Sequence, residues 1–79
     1  MKYLYKLRAD IIYDESDVPF TVYGVDCLSA GNIILSVEDI FFDLHKAEEF
    51  VVLCNSVNLS PAYLETMANN AVEELYHIT

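Results

Sequence analysis

The last third of the chain limits most severely what this sequence can fold into. From Leu64 the apolar residues fall at Leu64, Met67, Ala68, Ala71, Val72 and Leu75, the alternating three-and-four spacing that lays one stripe along an α-helix. Glu65, Thr66, Asn69, Asn70, Glu73 and Glu74 fill the other side. Ser60 is placed to cap the helix with its hydroxyl, and Pro61 suits the first helical position, where no N–H is needed. Leu59 and Leu64 flank that cap as a hydrophobic staple. The helix is expected to run on toward Ile78, and its stripe can pack only if the remainder of the chain supplies an apolar surface.

The first forty residues supply it as strands. From Lys2 to Tyr13 the odd positions read Tyr3, Tyr5, Leu7, Ala9, Ile11 and Tyr13, against Lys2, Lys6, Arg8 and Asp10 on the even ones. This alternation predicts a half-buried strand with its odd face inward. After the polar break Asp14 to Asp17, the segment from Phe20 to Leu28 is rich in β-formers and interrupted by Gly24. Phe20 and Val22 before the glycine, and Val25 and Cys27 after it, can share one face only if a one-residue bulge sits at Gly24. Ser29 to Asn32 reads as a tight turn, with Gly31 and Asn32 able to take positive φ. A third strand from Ile33 to Ile40 carries Ile33, Leu35 and Val37 on one face.

Asp43 is then a candidate N-cap for a helix from Leu44 to about Val57. Its stripe is Ala47, Phe50, Val51 and Cys54, widened by Leu44, Leu53 and Val57. Asn55 and Asn58 suit its end. The expected fold is therefore α+β: a three-stranded antiparallel sheet in the order 1-2-3, followed by two helices packed on one face, as a single domain over residues 1–79.

The charge balance narrows the classes of partner. Lys2, Lys6 and Arg8 give the first nine residues +3, whereas from Asp10 onward thirteen acids face Lys46 alone, or −12. Phosphate backbones reward lysine and arginine through counterion release, so no direct nucleic-acid binding is expected; a basic protein is the natural opposite number. An apolar fraction of 54% is high for a small domain and points to some apolar surface against a partner, a second copy being the simplest. No leader or membrane-spanning run is visible, and a cytoplasmic setting is expected. Two cysteines without a secretory signal do not make a disulfide framework.

Several short pieces carry a likeness: Tyr23-Gly24-Val25, Asp39-Ile40 followed by Asp43, Leu53-Cys54-Asn55, and Leu59-Ser60-Pro61 with Leu64. Together, over about Phe20 to Tyr76, they resemble a family of short uncharacterised proteins from Firmicutes and their mobile elements. Members often carry Ser after the Asp-Ile and His before the Leu of the Ser-Pro segment; here Phe41 and Tyr63 stand there. The resemblance implies this fold and a bacterial or phage origin, and it brings no activity with it.

Chemistry-bearing residues form no recognisable motif. His45, His77, Cys27 and Cys54 lack the spacing of a metal site, and both cysteines fall on apolar stripes, where a thiol behaves as a small hydrophobe. Gly24 and Gly31 are the only glycines, too few for a phosphate loop. No catalytic residue, metal or cofactor is therefore assigned. The reading is a non-catalytic acidic interaction module, with Glu38, Asp39, Glu48, Glu49, Glu73, Glu74, Tyr63 and Tyr76 as the candidate partner-binding residues; tyrosine offers contact area with a polar tip. A sharper version is an anti-CRISPR-like inhibitor that imitates nucleic-acid charge against a basic host protein. The alternatives are a homodimeric structural or regulatory protein, and a small Cys/His metal protein or enzyme.

Overall fold

A computed structural model describes residues 2–76. Three strands, β1 (Leu4–Tyr13), β2 (Pro19–Ser29) and β3 (Asn32–Phe41), pair antiparallel in the order β1-β2-β3. Helix α1 (Leu44–Ser56) and helix α2 (Leu64–Tyr76) follow, joined by a single 3₁₀ turn at Pro61–Tyr63. Helix α1 packs chiefly on β1 and β2, and α2 on β3, so that both lie over one face of the sheet. The expected three-strand, two-helix α+β architecture is what the chain adopts. No helix among the described residues is long and apolar enough to cross a membrane.

The core lies between sheet and helices. Tyr5, Val25 and Cys27 of the sheet meet Ile40 and Phe41 at the end of β3, Ala47, Phe50 and Cys54 of α1, and Leu64 and Ala68 of α2. The Phe41 and Phe50 rings pack at 5.5 Å in a tilted arrangement, the geometry that the ring quadrupoles favour.

Local signals explain how the elements begin and end. Asp43 caps α1 as expected: its carboxylate accepts from the backbone N–H groups of His45 at 2.8 Å and Lys46 at 3.4 Å. Asp43→Ala is expected to cost about 1 kcal/mol of stability, read as a lowered urea midpoint with unchanged slope. Asn58 takes φ +50° just beyond the helix. There the N–H of Leu59 reaches the Cys54 carbonyl and that of Asn58 the Asn55 carbonyl, the paired closure of a Schellman motif. Ser60 departs from expectation. Its side chain makes no cap bond, because the 3₁₀ turn intervenes and the Ser60 carbonyl, not its hydroxyl, accepts from Tyr63 N–H.

The sheet holds three further departures. No bulge lies between β1 and β2, whose pairing is unbroken from Leu4 opposite Leu28 to Tyr13 opposite Pro19. Phe20 and Val22 therefore stay on the face away from the helices, where the Phe20 and Phe42 rings sit 6.1 Å apart and Val22 is buried outside the main core. The irregularities belong to β3, which takes four residues from Val37 to Phe41 while β2 takes two from Val25 to Tyr23, and later one extra residue beside Leu28. That second slip moves Ile33 to the open face, away from Leu35 and Val37. Finally, Ala30 and Gly31, not Asn32, hold the positive φ values of the β2–β3 turn, as a two-residue type I′ connection requires.

The odd face of β1 is covered only at its start. Tyr5 is buried, but Leu7, Ile11 and Tyr13 are 37%, 65% and 65% exposed. A ten-residue strand runs about 33 Å whereas a thirteen-residue helix runs about 20 Å, so the helical layer ends before the strand does.

Candidate functional site

The fold gathers three of the eight candidate residues and places three others, Glu48, Glu49 and Tyr63, elsewhere. Glu38 and Asp39, from the irregular stretch of β3, and Glu73 of α2 line one groove of about 380 Å³ together with Val37, Ile40, Ala68, Asn69 and Val72. All three carboxylates are exposed. Asp39 stands at φ +55°, in the left-handed region that aspartate tolerates better than most residues. The groove has an apolar floor and an acidic rim, a combination that suits the aliphatic stem and cationic head of a lysine or arginine.

Glu48 and Glu49 lie exposed on α1, where Glu49 meets His45 at 2.9 Å one turn away. Tyr63 is 65% exposed and belongs to a different groove of about 410 Å³ between the helices, with Phe50, Leu53 and Met67. Glu74 and Tyr76 fall in α2, but their side chains lie outside the described residues, as does His77.

On the open face of the sheet a polar network crosses all three strands. Arg8 bonds Asp10 at 2.8 Å, Asp26 at 3.1 Å and Glu38 at 3.3 Å, and Ser36 donates to the same Asp26 oxygen at 2.6 Å. Its hydrogen bonds to the Asp10 and Asp26 carboxylates push the Arg8 pKa above its ordinary value. Arg8 of the chain's basic N-terminal segment is thus spent on its own acids, and ten of the twelve acidic residues whose side chains are described are exposed.

Cys27 and Cys54 are both free and buried. Burial, with the Cys27 thiol adding to it, pushes the Cys54 thiol from near 9 up to about 11, and burial raises Tyr5 beyond its ordinary value as well. Since only the thiolate reacts, alkylation of both cysteines near pH 8 is expected to be at least about a hundredfold slower in the native protein than in denaturant; rapid labelling of native Cys54 would contradict this. The sign for stability is the same for both groups. Below pH 9 the protonated forms prevail in native and unfolded chains alike; as pH climbs toward 11 the unfolded chain loses the Cys54 proton first, so stability falls, by an order of 1–2 kcal/mol. A urea midpoint flat from pH 8 to 11 would refute it.

Among the described residues no three His, Cys, Asp or Glu side chains converge closely enough to hold a metal ion. Sequence reasoning overlooked Asn55, read only as a helix-end residue. Its amide accepts from the Tyr5 N–H and donates to the Tyr5 carbonyl, both at 2.9 Å, closing the edge of β1 at that one point. Comparisons with protein-family models, curated proteins and solved structures gave no match to this chain.

Proposed function

We propose that the chain is a non-catalytic interaction module whose acidic side engages a basic protein, with the Glu38, Asp39 and Glu73 groove as its centre. The observation that carries the reading is that groove: residues 34 positions apart bring three exposed carboxylates around an apolar floor, one of them, Glu38, also meeting Arg8 at 3.3 Å. Charge of this density steers association with a basic surface. The sharper form of the proposal is a phage or mobile-element inhibitor that occupies the nucleic-acid site of a host protein, such as a CRISPR effector. The likeness to the short Firmicutes proteins supports that origin, and a cytoplasmic setting goes with it.

The test starts from capture of a partner from a bacterial lysate and measures its affinity across about 0.05 to 0.5 M salt. The expected result is a fall of tenfold or more over that range, a further loss in the triple variant Glu38→Gln, Asp39→Asn, Glu73→Gln, and competition with nucleic acid. Affinity indifferent to salt and to the triple variant would overturn the reading. Self-association, the second reading, draws on a separate feature, the open edge of β1.

A further inference from the structure

We infer that β1 pairs with β1 of a second copy, antiparallel, about a twofold axis at Ala9. The pairing of β1 with β2 is regular throughout, so backbone groups alternate between β2 and the outer edge. The Tyr5 groups that Asn55 binds face outward; by that alternation so do the N–H and C=O groups of Leu7, Ala9 and Ile11. An edge of this kind, long and apolar on one side, is a template for another strand. Asn55 closes it at Tyr5 and the Asp14 turn ends it at Tyr13, leaving outward-facing groups over the five residues from Leu7 to Ile11.

Charge selects the occupant and the register. With the axis at Ala9, Leu7 faces the partner's Ile11 and Arg8 faces the partner's Asp10, twice over by symmetry. One step either way puts Arg8 against the partner's Arg8, or Asp10 against the partner's Asp10, and like charges directly opposite destabilise a ladder. The chosen register forms about six new backbone hydrogen bonds. A twofold axis perpendicular to the sheet keeps both helical layers on one side, so the exposed Leu7, Ala9 and Ile11 of the two copies merge into one apolar band in the gap that each helical layer leaves. The acidic groove lies at the opposite edge of the sheet, on β3 and α2, and meets this edge only through the Arg8–Glu38 pair.

Sedimentation of the purified chain tests it. A reversible dimer is expected by about 0.1 mM, the weak regime of a small interface. Ala9→Pro removes an N–H that β2 does not use, so the monomer keeps its circular dichroism while dimerisation weakens at least tenfold; Ile11→Lys, at an exposed position, does the same. Ala9→Cys cross-links to itself under mild oxidation, because facing Cα atoms about 5.5 Å apart lie within disulfide reach, whereas Ile11→Cys alone does not. A chain that stays monomeric to about 1 mM, a dimer that ignores both Ala9→Pro and Ile11→Lys, or self-cross-linking at Ile11→Cys and not at Ala9→Cys would each overturn the proposal. The monomeric outcome would assign the edge to a strand from another protein.

Discussion

Gly24→Ala is expected to destabilise the domain by about 3 kcal/mol or more, although the substitution adds a single methyl group in the middle of a sheet where alanine is usually tolerated. A Cβ at this position would lie 2.2 Å from the Val37 carbonyl oxygen and 3.0 Å from the Glu38 Cα. Both are backbone atoms of β3, so no side-chain rotation relieves the overlap. The conflict arises because β3 carries its extra residues opposite Gly24 and presses its main chain against β2 there. The bulge would have to straighten or withdraw, and Glu38 and Asp39 would move with it, since they form the lip of the acidic groove. Chemical denaturation should therefore show a large drop in midpoint, and binding of a basic partner should weaken even in the folded fraction. Gly31→Ala provides the contrast. No atom lies near its added Cβ, but the residue holds φ +82°, so a cost of about 1 kcal/mol from backbone strain alone is expected. If Gly24→Ala proved no worse than Gly31→Ala, the close approach of β3 would be wrong.

Gly24 also shows where sequence reasoning stops. A glycine inside a strand of β-formers announces an irregularity, and the glycine does mark one. Nothing in β2 itself says which strand carries the extra residues, because the need for a missing Cβ is set by the neighbour's backbone. Alternation along β1 likewise names the face that turns toward the helices, and Tyr5 obeys it. How far the helical layer reaches along that face depends on where α1 is tethered, and the tether is Asn55, an amide fifty residues away. Ile11 and Tyr13 thus have the pattern of core residues and the exposure of surface ones. The two caps divide in the same way. Asp43 acts on residues two and three positions ahead and is legible; Ser60 loses its capping role because Pro61 opens a 3₁₀ turn before α2 begins. Of the site, the acidic residues could be named one by one. Only the packing of α2 on β3 decides that Glu38, Asp39 and Glu73 share a groove while Glu48 and Glu49 stand apart.

Tyr5→Ala is expected to be the most damaging substitution in β1, with a loss of about 3–5 kcal/mol from a total that, at typical values per residue, is about 4–12 kcal/mol for a chain of this length. Tyr5 is 1% exposed and is the one side chain of β1 in the buried core. Its ring lies in the buried core that also holds Cys27 and Cys54, and its hydroxyl donates to the Leu59 carbonyl in the connection between the helices. Its backbone, meanwhile, holds the Asn55 amide. One residue thereby ties the edge strand to both the end of α1 and the approach to α2. Tyr5→Phe separates these roles: it keeps the ring and leaves the Leu59 carbonyl without its donor, for an expected loss of about 1–2 kcal/mol. It should also remove the part of the alkaline loss of stability that sets in above pH 10, where tyrosine in the unfolded chain begins to ionise. Ile11→Ala, on the same strand and the same face, is expected to cost under about 0.5 kcal/mol at concentrations where the chain is monomeric. The three variants, compared by urea denaturation with circular dichroism, should rank Tyr5→Ala far above Tyr5→Phe and Tyr5→Phe above Ile11→Ala. Equal losses for Tyr5→Ala and Ile11→Ala would mean that the helices cover the whole odd face of β1, which would take away the exposed apolar band that self-pairing is expected to merge.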